Sequence, residues 1–375
     1  MTDHRAALPA GRLTSLDVFR GITIAGMILV NNPGSWSFVY PPLLHAEWHG
    51  WTPTDLIFPF FLFIVGVAMA FSLVPRIERG DSQREIFFKV LKRSMIIVGI
   101  GLFLNAFPRF DVLEMRYPGV LQRIGVVFFF ASVIALKTGI KGQAIAAILL
   151  LLCYWALMTL VPVPGYGAGN LTPDGNLAAF IDRAVFGSHT WRETWDPEGL
   201  LSTMPAISTT LLGLLTGHLL RSKLARSEIA GWLFVLGWAG ILLGLIWSLA
   251  FPINKNIWTS SYVVFTAGAA LQFLGVCYWL IDVMGWKAWA FPGLVFGMNA
   301  IAVYVLSGIL VDIMLVIRMP AAGGETTSLY SWIYQHLFVP WAGPLNGSLA
   351  FALSYIILLF GAMYVLYRRK IFLKV

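Results

Sequence analysis

About ten runs of roughly twenty apolar residues, parted by short polar or aromatic stretches, organise this chain between residues 16 and 367. They fall near 16–36, 54–74, 88–107, 118–136, 143–162, 202–220, 229–250, 259–281, 290–316 and 347–367. A run of this length crosses a hydrocarbon core as a helix, because lipid offers no partner to free backbone N–H and C=O groups. The pattern predicts an all-α fold: a polytopic transmembrane helix bundle of about ten spans, with 1–375 acting as a single domain. No internal repeat, low-complexity segment or soluble stretch interrupts it.

Composition agrees. The chain is 58% hydrophobic and 12% charged, with a mean hydropathy of +0.77, against about 45–50% apolar and about 25% charged for a soluble protein. The net charge of +8 would elsewhere raise nucleic-acid binding. Here the basic residues sit in blocks between apolar runs: Arg5 and Arg12; Arg76 to Arg93; Lys137 and Lys141; Arg221, Lys223 and Arg226; Lys287; and Arg368 to Lys374. With an even number of spans all of these fall on one side, which the positive-inside rule makes the cytoplasm, with both termini inside. The opposite loops (37–53, 108–117, 163–201, 251–258 and 317–346) are longer, poor in Lys and Arg, and rich in Trp, Tyr, Pro, Gly and His. Chemistry or recognition is expected on that side. No cleavable signal peptide is visible in the polar first twelve residues, so the first span is expected to direct its own insertion. Cys153 and Cys277 both lie within apolar runs and suggest neither a disulfide nor a metal site.

Charges inside spans cost roughly 2.5–3.5 kcal/mol each on insertion scales and are functional candidates. Asp17 and Arg20 share a face of the first helix, either as an ion pair or as a polar floor for an anionic ligand. Gln122 and Arg123 lie in PGVLQRIG, where Arg123 needs a partner from another helix or a bound anion. Asp282 and Asp312, near span ends, read as interfacial residues.

The densest polar cluster spans residues 30–61. Asn31 and Asn32 end the first run, His45, Glu47 and His49 follow in the loop, and Asp55 opens the second run. Three readings compete. His45, Glu47 and His49 could line one side of a strand as metal ligands, although nothing completes a shell. Thr52-Pro53-Thr54-Asp55 reads as a helix start, with Thr52 as N-cap, Pro53 at N1 and Asp55 closing a capping box. A histidine beside a membrane-embedded polar pocket could act as general base or nucleophile.

Several segments carry a resemblance. RLTSLDVFRGITIAGMILVNN, LLHAEWHGWTPTDLIFPFFLFIVG, PGVLQRIG, WDPEGLLSTMPAI, FPINKNIWTSSYV, FGMNAIAVYVL and YRRKIFLKV occur in this order from Arg12 to the C-terminus. Together they resemble the membrane domain of the heparan-α-glucosaminide N-acetyltransferase family, lysosomal transmembrane enzymes with bacterial relatives. The resemblance implies transfer of an acetyl group from cytoplasmic acetyl-CoA to a glucosamine amine on the far side of the membrane. It places the family's active-site histidine at His45, its asparagine at Asn31 and an aspartate at Asp55. Against the animal enzymes, the chain is expected to lack their N-terminal luminal region and extra first span, and it carries Glu47 and His49.

With that resemblance, His45 is expected to act as base or acetyl-accepting nucleophile, Asp55 to orient it, and Asn31 to donate to the thioester oxygen. Arg20, Arg123, Gln122 and Arg93 become candidates for holding coenzyme A. For the sugar, Trp191, Trp195 and Trp258 offer stacking faces, and Asp196, Glu198, Asn254 and Lys255 offer hydrogen bonds. The expected donor is acetyl-CoA, used as a co-substrate without a metal. The expected partners are the lipid bilayer and an amino-sugar or glycan acceptor, with a homodimer left open and no nucleic acid. The compact form points to a bacterial inner (cytoplasmic) membrane. The alternative is a transmembrane transporter or carrier of a sugar or lipid-linked sugar, which repeated halves would favour.

Overall fold

Each of the ten apolar runs is a helix or, in one case, a bent pair of helices. The computed structural model describes residues 13–321 and 325–373; Arg5, Arg12 and Lys374 of the charge pattern lie outside the described residues. The long helices are α1 (Thr14–Asn31), α2 (Ile57–Ser72), with the short α3 (Val74–Glu78) behind it, α4 (Gln83–Ala106), α5 (Val120–Lys137) and α6 (Ile140–Leu160). After α7 (Leu177–Phe186), which lies in a loop, come α8 (Thr203–Leu220), α9 (Arg226–Trp247) and α10 (Ser260–Tyr278). The pair α11 (Phe291–Met298) and α12 (Ala300–Val316) follows, then a hairpin of β1 (Arg318–Pro320) and β2 (Thr326–Ser328), α13 (Leu329–Ile333) and α14 (Val339–Arg368). The sequence pattern foresaw neither α7 nor the hairpin.

Seven helices among the described residues are long and apolar enough to cross a membrane, and the bent pair makes eight. The two shortfalls against the expected ten are α1 and α4, which carry Asp17 and Arg20, and Lys89, Lys92 and Arg93. The protein is thus an all-α membrane bundle.

Hydrogen bonds and ion pairs gather the helix ends into two groups. At one end Arg221 pairs with Glu78, Lys137 donates to Gln83 and Arg226 donates to the Asp282 carbonyl. At the other, the loop before α2 meets the loop before α10 where Gly50 N–H donates to the Ile253 carbonyl (2.8 Å). We call these the basic end and the His45 end.

In lipid the hydrophobic effect does not drive helix against helix, so close packing of small residues does more of the work. Helices α2 and α8 are the most buried, and their backbones nearly touch. A Cβ built on Gly66 would lie 1.9 Å from the Thr210 carbonyl oxygen, and one on Gly213 would lie 2.0 Å from that of Phe63. Helices α6, α9 and α14 expose most of their apolar surface, as lipid-facing helices do.

The α11–α12 pair bends by 81° at Asn299. The Asn299 side chain ties the C-terminal tail beneath that break, accepting from Leu373 N–H (2.8 Å) and donating to the Ile371 carbonyl (3.1 Å).

Candidate active site

The His45 end is built outward from the start of α2. Thr52 is extended, Pro53 presets the first turn, and Asp55 reaches back to Thr52 N–H (3.0 Å), completing the expected capping box. That bond uses only Oδ2, which also accepts from Ala46 N–H (3.0 Å) and the Thr52 hydroxyl (3.2 Å). Oδ1 stands 2.6 Å from His45 Nδ1. The structural and chemical readings of this segment therefore coexist in one carboxylate. Asp55 is 1% exposed and the His45 side chain 43%, so the imidazole is reachable while its partner is sealed. With Nδ1–H donated to Asp55, Nε2 holds the free lone pair.

The 253–259 turn closes over this pair. Asn254 caps the turn, accepting from Ile257 N–H (3.1 Å), and its side-chain amide donates to His49 Nδ1 (3.3 Å). Thus His49 meets Asn254, while His45 meets Asp55. Lys255 Nζ lies 3.4 Å from both ring nitrogens of His45. Trp258 takes a left-handed conformation (φ 51°), uncommon for a bulky side chain. It is held there by burial: its indole N–H donates to the Thr209 hydroxyl (3.2 Å), and its ring packs on Phe58 and Tyr262. A fully buried Trp258 offers no face to a sugar, so its part is to fix the turn.

Arg123 lies against that tryptophan, its guanidinium carbon 5.1 Å from the ring centroid. One terminal nitrogen donates to the Gly199 carbonyl (2.9 Å) and the Ser202 hydroxyl (2.5 Å). Its other two nitrogens are buried without a hydrogen-bond partner. Gln122 is buried and donates to the Tyr117 carbonyl (3.1 Å).

Asp196 and Glu198, expected to hold a sugar, are committed to Arg116. Its Nε and Nη2 lie 2.7 and 2.5 Å from the two Asp196 oxygens, and Nη2 also pairs with Glu198. Burial works against the Arg116 cation, yet Glu198 and Asp196 hold its pKa above the ordinary value. Trp191 covers the guanidinium from 5.2 Å, and Trp195 packs edge-on against Trp48. Asp182 is buried nearby, accepting from Leu200 N–H (2.8 Å), and burial pushes its pKa up to about 6. Sequence reasoning missed Arg116 and Asp182. The signal for Arg116 was available: an arginine on the side poor in basic residues, facing an acidic loop.

A cavity of about 560 Å³ lies on the other side of α5, between α1, α2, α4 and the α11–α12 break. Leu121, Ile124 and Phe128 line it at helical spacing, which turns Arg123 away. Its charged walls are Asp17, Arg20 and Arg93. Arg20 donates to Asp17 (3.2 Å) and to the Gly297 carbonyl (3.3 Å), while Arg93 lies 5.0 Å from the Phe128 ring centroid. The cavity begins at Leu13 and Leu16, at the basic end, and reaches Phe61. Phe61 is six residues beyond Asp55, about 9 Å along the helix. Asn31 is exposed at the end of α1 and shares no hydrogen bond with His45 or Asp55.

These features define a class: a polytopic helical membrane protein with a histidine–carboxylate pair at one end and an arginine-walled cavity reaching in from the other. The chain belongs to the family described as heparan-alpha-glucosaminide N-acetyltransferase, catalytic, whose profile matches residues 12–246. It is 32% identical to human heparan-alpha-glucosaminide N-acetyltransferase and 30% identical to the mouse protein of that name. These alignments cover 80% and 79% of this chain and 53% of each relative, so the chain spans about half the length of the curated relatives it matches.

Proposed function

We propose that this chain is a membrane-embedded acetyltransferase. It moves an acetyl group from cytoplasmic acetyl-CoA to the amine of a glucosamine-type sugar at the opposite face of a bacterial inner membrane. All ten helical units cross the bilayer as one domain, both termini are cytoplasmic, and the basic end faces the coenzyme. The observation that carries the reading is the His45–Asp55 pair, 2.6 Å apart, with its imidazole accessible and its carboxylate sealed.

The arginine-walled cavity is of the size that small-molecule sites occupy, about 300–1,000 Å³. Arg20 and Arg93 suit the phosphates of coenzyme A. The acyl arm then runs between the helices toward Phe61 and the His45 end. An amino-sugar nitrogen must lose a proton to attack the thioester. Nε2 of His45 takes it, Asp55 holds the ring through Nδ1–H and stabilises the imidazolium, and a base so placed is worth about 10²–10⁴-fold. As the tetrahedral adduct collapses, the C–S bond breaks and the proton passes to the coenzyme thiolate. Trp195, the Asn254 turn and the rim around Asp196 and Glu198 shape the acceptor side.

The test is incubation of purified protein with labelled acetyl-CoA and glucosamine. The expected result is label in N-acetylglucosamine, lost in His45→Ala. Sugar binding without acetyl transfer would instead identify a carrier. Single-turnover reaction without acceptor separates the two chemical routes: coenzyme release with label on His45 marks a covalent intermediate, and no release marks direct transfer.

A further inference from the structure

Acetyl transfer requires a donor for the thioester oxygen, which takes up negative charge as the amine adds. Asn31 is exposed and shares no hydrogen bond with His45 or Asp55. Asn254 is buried and turns its side-chain amide to His49. Lys255 is the cation at the imidazole.

Its placement is built in. The turn that carries it is closed by Asn254 N–H on the Thr259 hydroxyl (3.0 Å), Thr259 N–H on the Asn254 carbonyl (3.1 Å) and Trp258 N–H on the Lys255 carbonyl (3.1 Å). The left-handed Trp258, locked by Thr209 and Arg123, fixes the turn's far side. An ammonium equidistant from both nitrogens of one imidazole and lying in the ring plane would collide with Cε1. Lys255 therefore stands off that plane, and the in-plane lone pair of Nε2 remains uncapped. An amine hydrogen-bonded to Nε2 would bring the carbonyl it attacks beside this ammonium.

We propose that Lys255 is a catalytic residue: its ammonium donates to the thioester oxygen during acetyl transfer at His45. The inference rests on the reading of His45 as the transfer centre. In the first step the amine nitrogen bonds to the carbonyl carbon, the carbonyl π pair moves onto oxygen against Nζ–H, and the amine proton goes to Nε2. In the second, the oxygen pair returns, the C–S bond breaks, and the thiolate leaves with the proton from His45. Lys255 keeps its proton throughout. Burial, with Arg123 and Arg116 adding to it, brings the lysine's pKa below its ordinary value, which makes the ammonium a stronger donor. Glu198 and Asp55 oppose that shift.

Steady-state kinetics of the purified full chain test this with Lys255→Met and Lys255→Arg, using acetyl-CoA and glucosamine. The expected result for Lys255→Met is a kcat about 10²–10³-fold lower, the loss typical of one oxyanion donor. The KM for glucosamine should move by less than about threefold, and Lys255→Arg should recover part of kcat. A parental kcat at saturating sugar with a raised KM would make Lys255 a sugar-binding residue and overturn the proposal. His45→Ala, run in parallel, separates the two levels: full activity in that variant sinks the reading of the site itself. Lys255→Cys covers a Lys255→Met chain that fails to fold. Alkylation with 2-bromoethylamine regrows the ammonium; recovered kcat supports the role, and no recovery overturns it.

Discussion

Asp55 divides its carboxylate between His45 and the backbone of its own helix start, with Oδ1 2.6 Å from Nδ1 and Oδ2 accepting from Ala46 and Thr52. One buried group thereby sets both the ring's tautomer and the path of the loop that presents it. Replacing Asp55 by Asn keeps the shape but removes the charge, and lets an amide N–H face Nδ1. The ring then turns its lone pair to the wrong nitrogen. We expect Asp55→Asn to lower kcat about 10²–10⁴-fold. Stability should fall by about 1–3 kcal/mol, from the weakened bonds to Oδ2. Turnover assays beside thermal unfolding in detergent read both numbers.

Arg93 is the less encumbered guanidinium of the cavity wall, stacked near Phe128, whereas Arg20 is tied to Asp17 and Gly297. If the cavity receives the coenzyme, Arg93→Met removes a charge-assisted bond to phosphate. Such a bond is worth about 1.5–3 kcal/mol, or about 10–150-fold in affinity. The expected outcome is a raised KM for acetyl-CoA with the glucosamine KM unchanged. Equal rises in both would place the nucleotide elsewhere.

Arg116 balances two buried carboxylates, Asp196 and Glu198. Removing one partner of a buried ion cluster leaves uncompensated charge, at a cost of about 3–5 kcal/mol. Arg116→Met is expected to unfold at a clearly lower temperature than the parent. Adding Glu198→Gln should return part of that loss by removing one stranded charge. Losses that simply add in the double variant would show that the two residues are not coupled.

How much of this was legible in the sequence follows the range of each interaction. The helices were readable because lipid forces every spanning backbone to satisfy itself, so length and apolarity suffice. His45 and Asp55 were readable because they are ten residues apart within one loop and helix start. The direction of Arg123 was not: Leu121 and Ile124 face the cavity and Arg123 faces Gly199, a choice made by the contact between α5 and α8. Trp258 looked like a stacking face for a sugar because nothing in its neighbourhood reveals that Phe58, Thr209 and Arg123 enclose it. The bend at Asn299 depends on the tail at Ile371 and Leu373, more than seventy residues away.

Asp182 gives a pH-dependent signature. Burial raises its pKa from 3.8 to about 6. A raised folded-state pKa in an acid means that the charged form is disfavoured by folding. Asp182 therefore weakens the fold progressively as pH rises from about 4 to about 6, by about 3 kcal/mol in full, and its effect is constant above that window. Asparagine can still accept from Leu200 N–H and carries no charge. Asp182→Asn should be more thermostable than the parent at pH 7.5, with the difference shrinking through pH 6 and closing near pH 4. A variant less stable at every pH would mean that the ionised carboxylate is held by groups that favour its charge.

Sidedness is the geometric premise of transfer across the membrane. Among the described residues, the basic loops around Arg221 and Arg226 meet at one end of the bundle, and His45 lies at the other with Lys255 and Asp55. Glu47, exposed beside His45, and Arg369, exposed in the tail, therefore report opposite faces. In intact cells a membrane-impermeant maleimide should label Glu47→Cys and leave Arg369→Cys untouched until the membrane is permeabilised. Cys277 is buried and Cys153 lies in the apolar α6, so the parent chain serves as the blank. Labelling of both positions from one side would place the imidazole in the same compartment as the coenzyme. Acetyl transfer would then need no path between the helices, and the arginine-walled cavity would lose its part in carrying the acyl arm across.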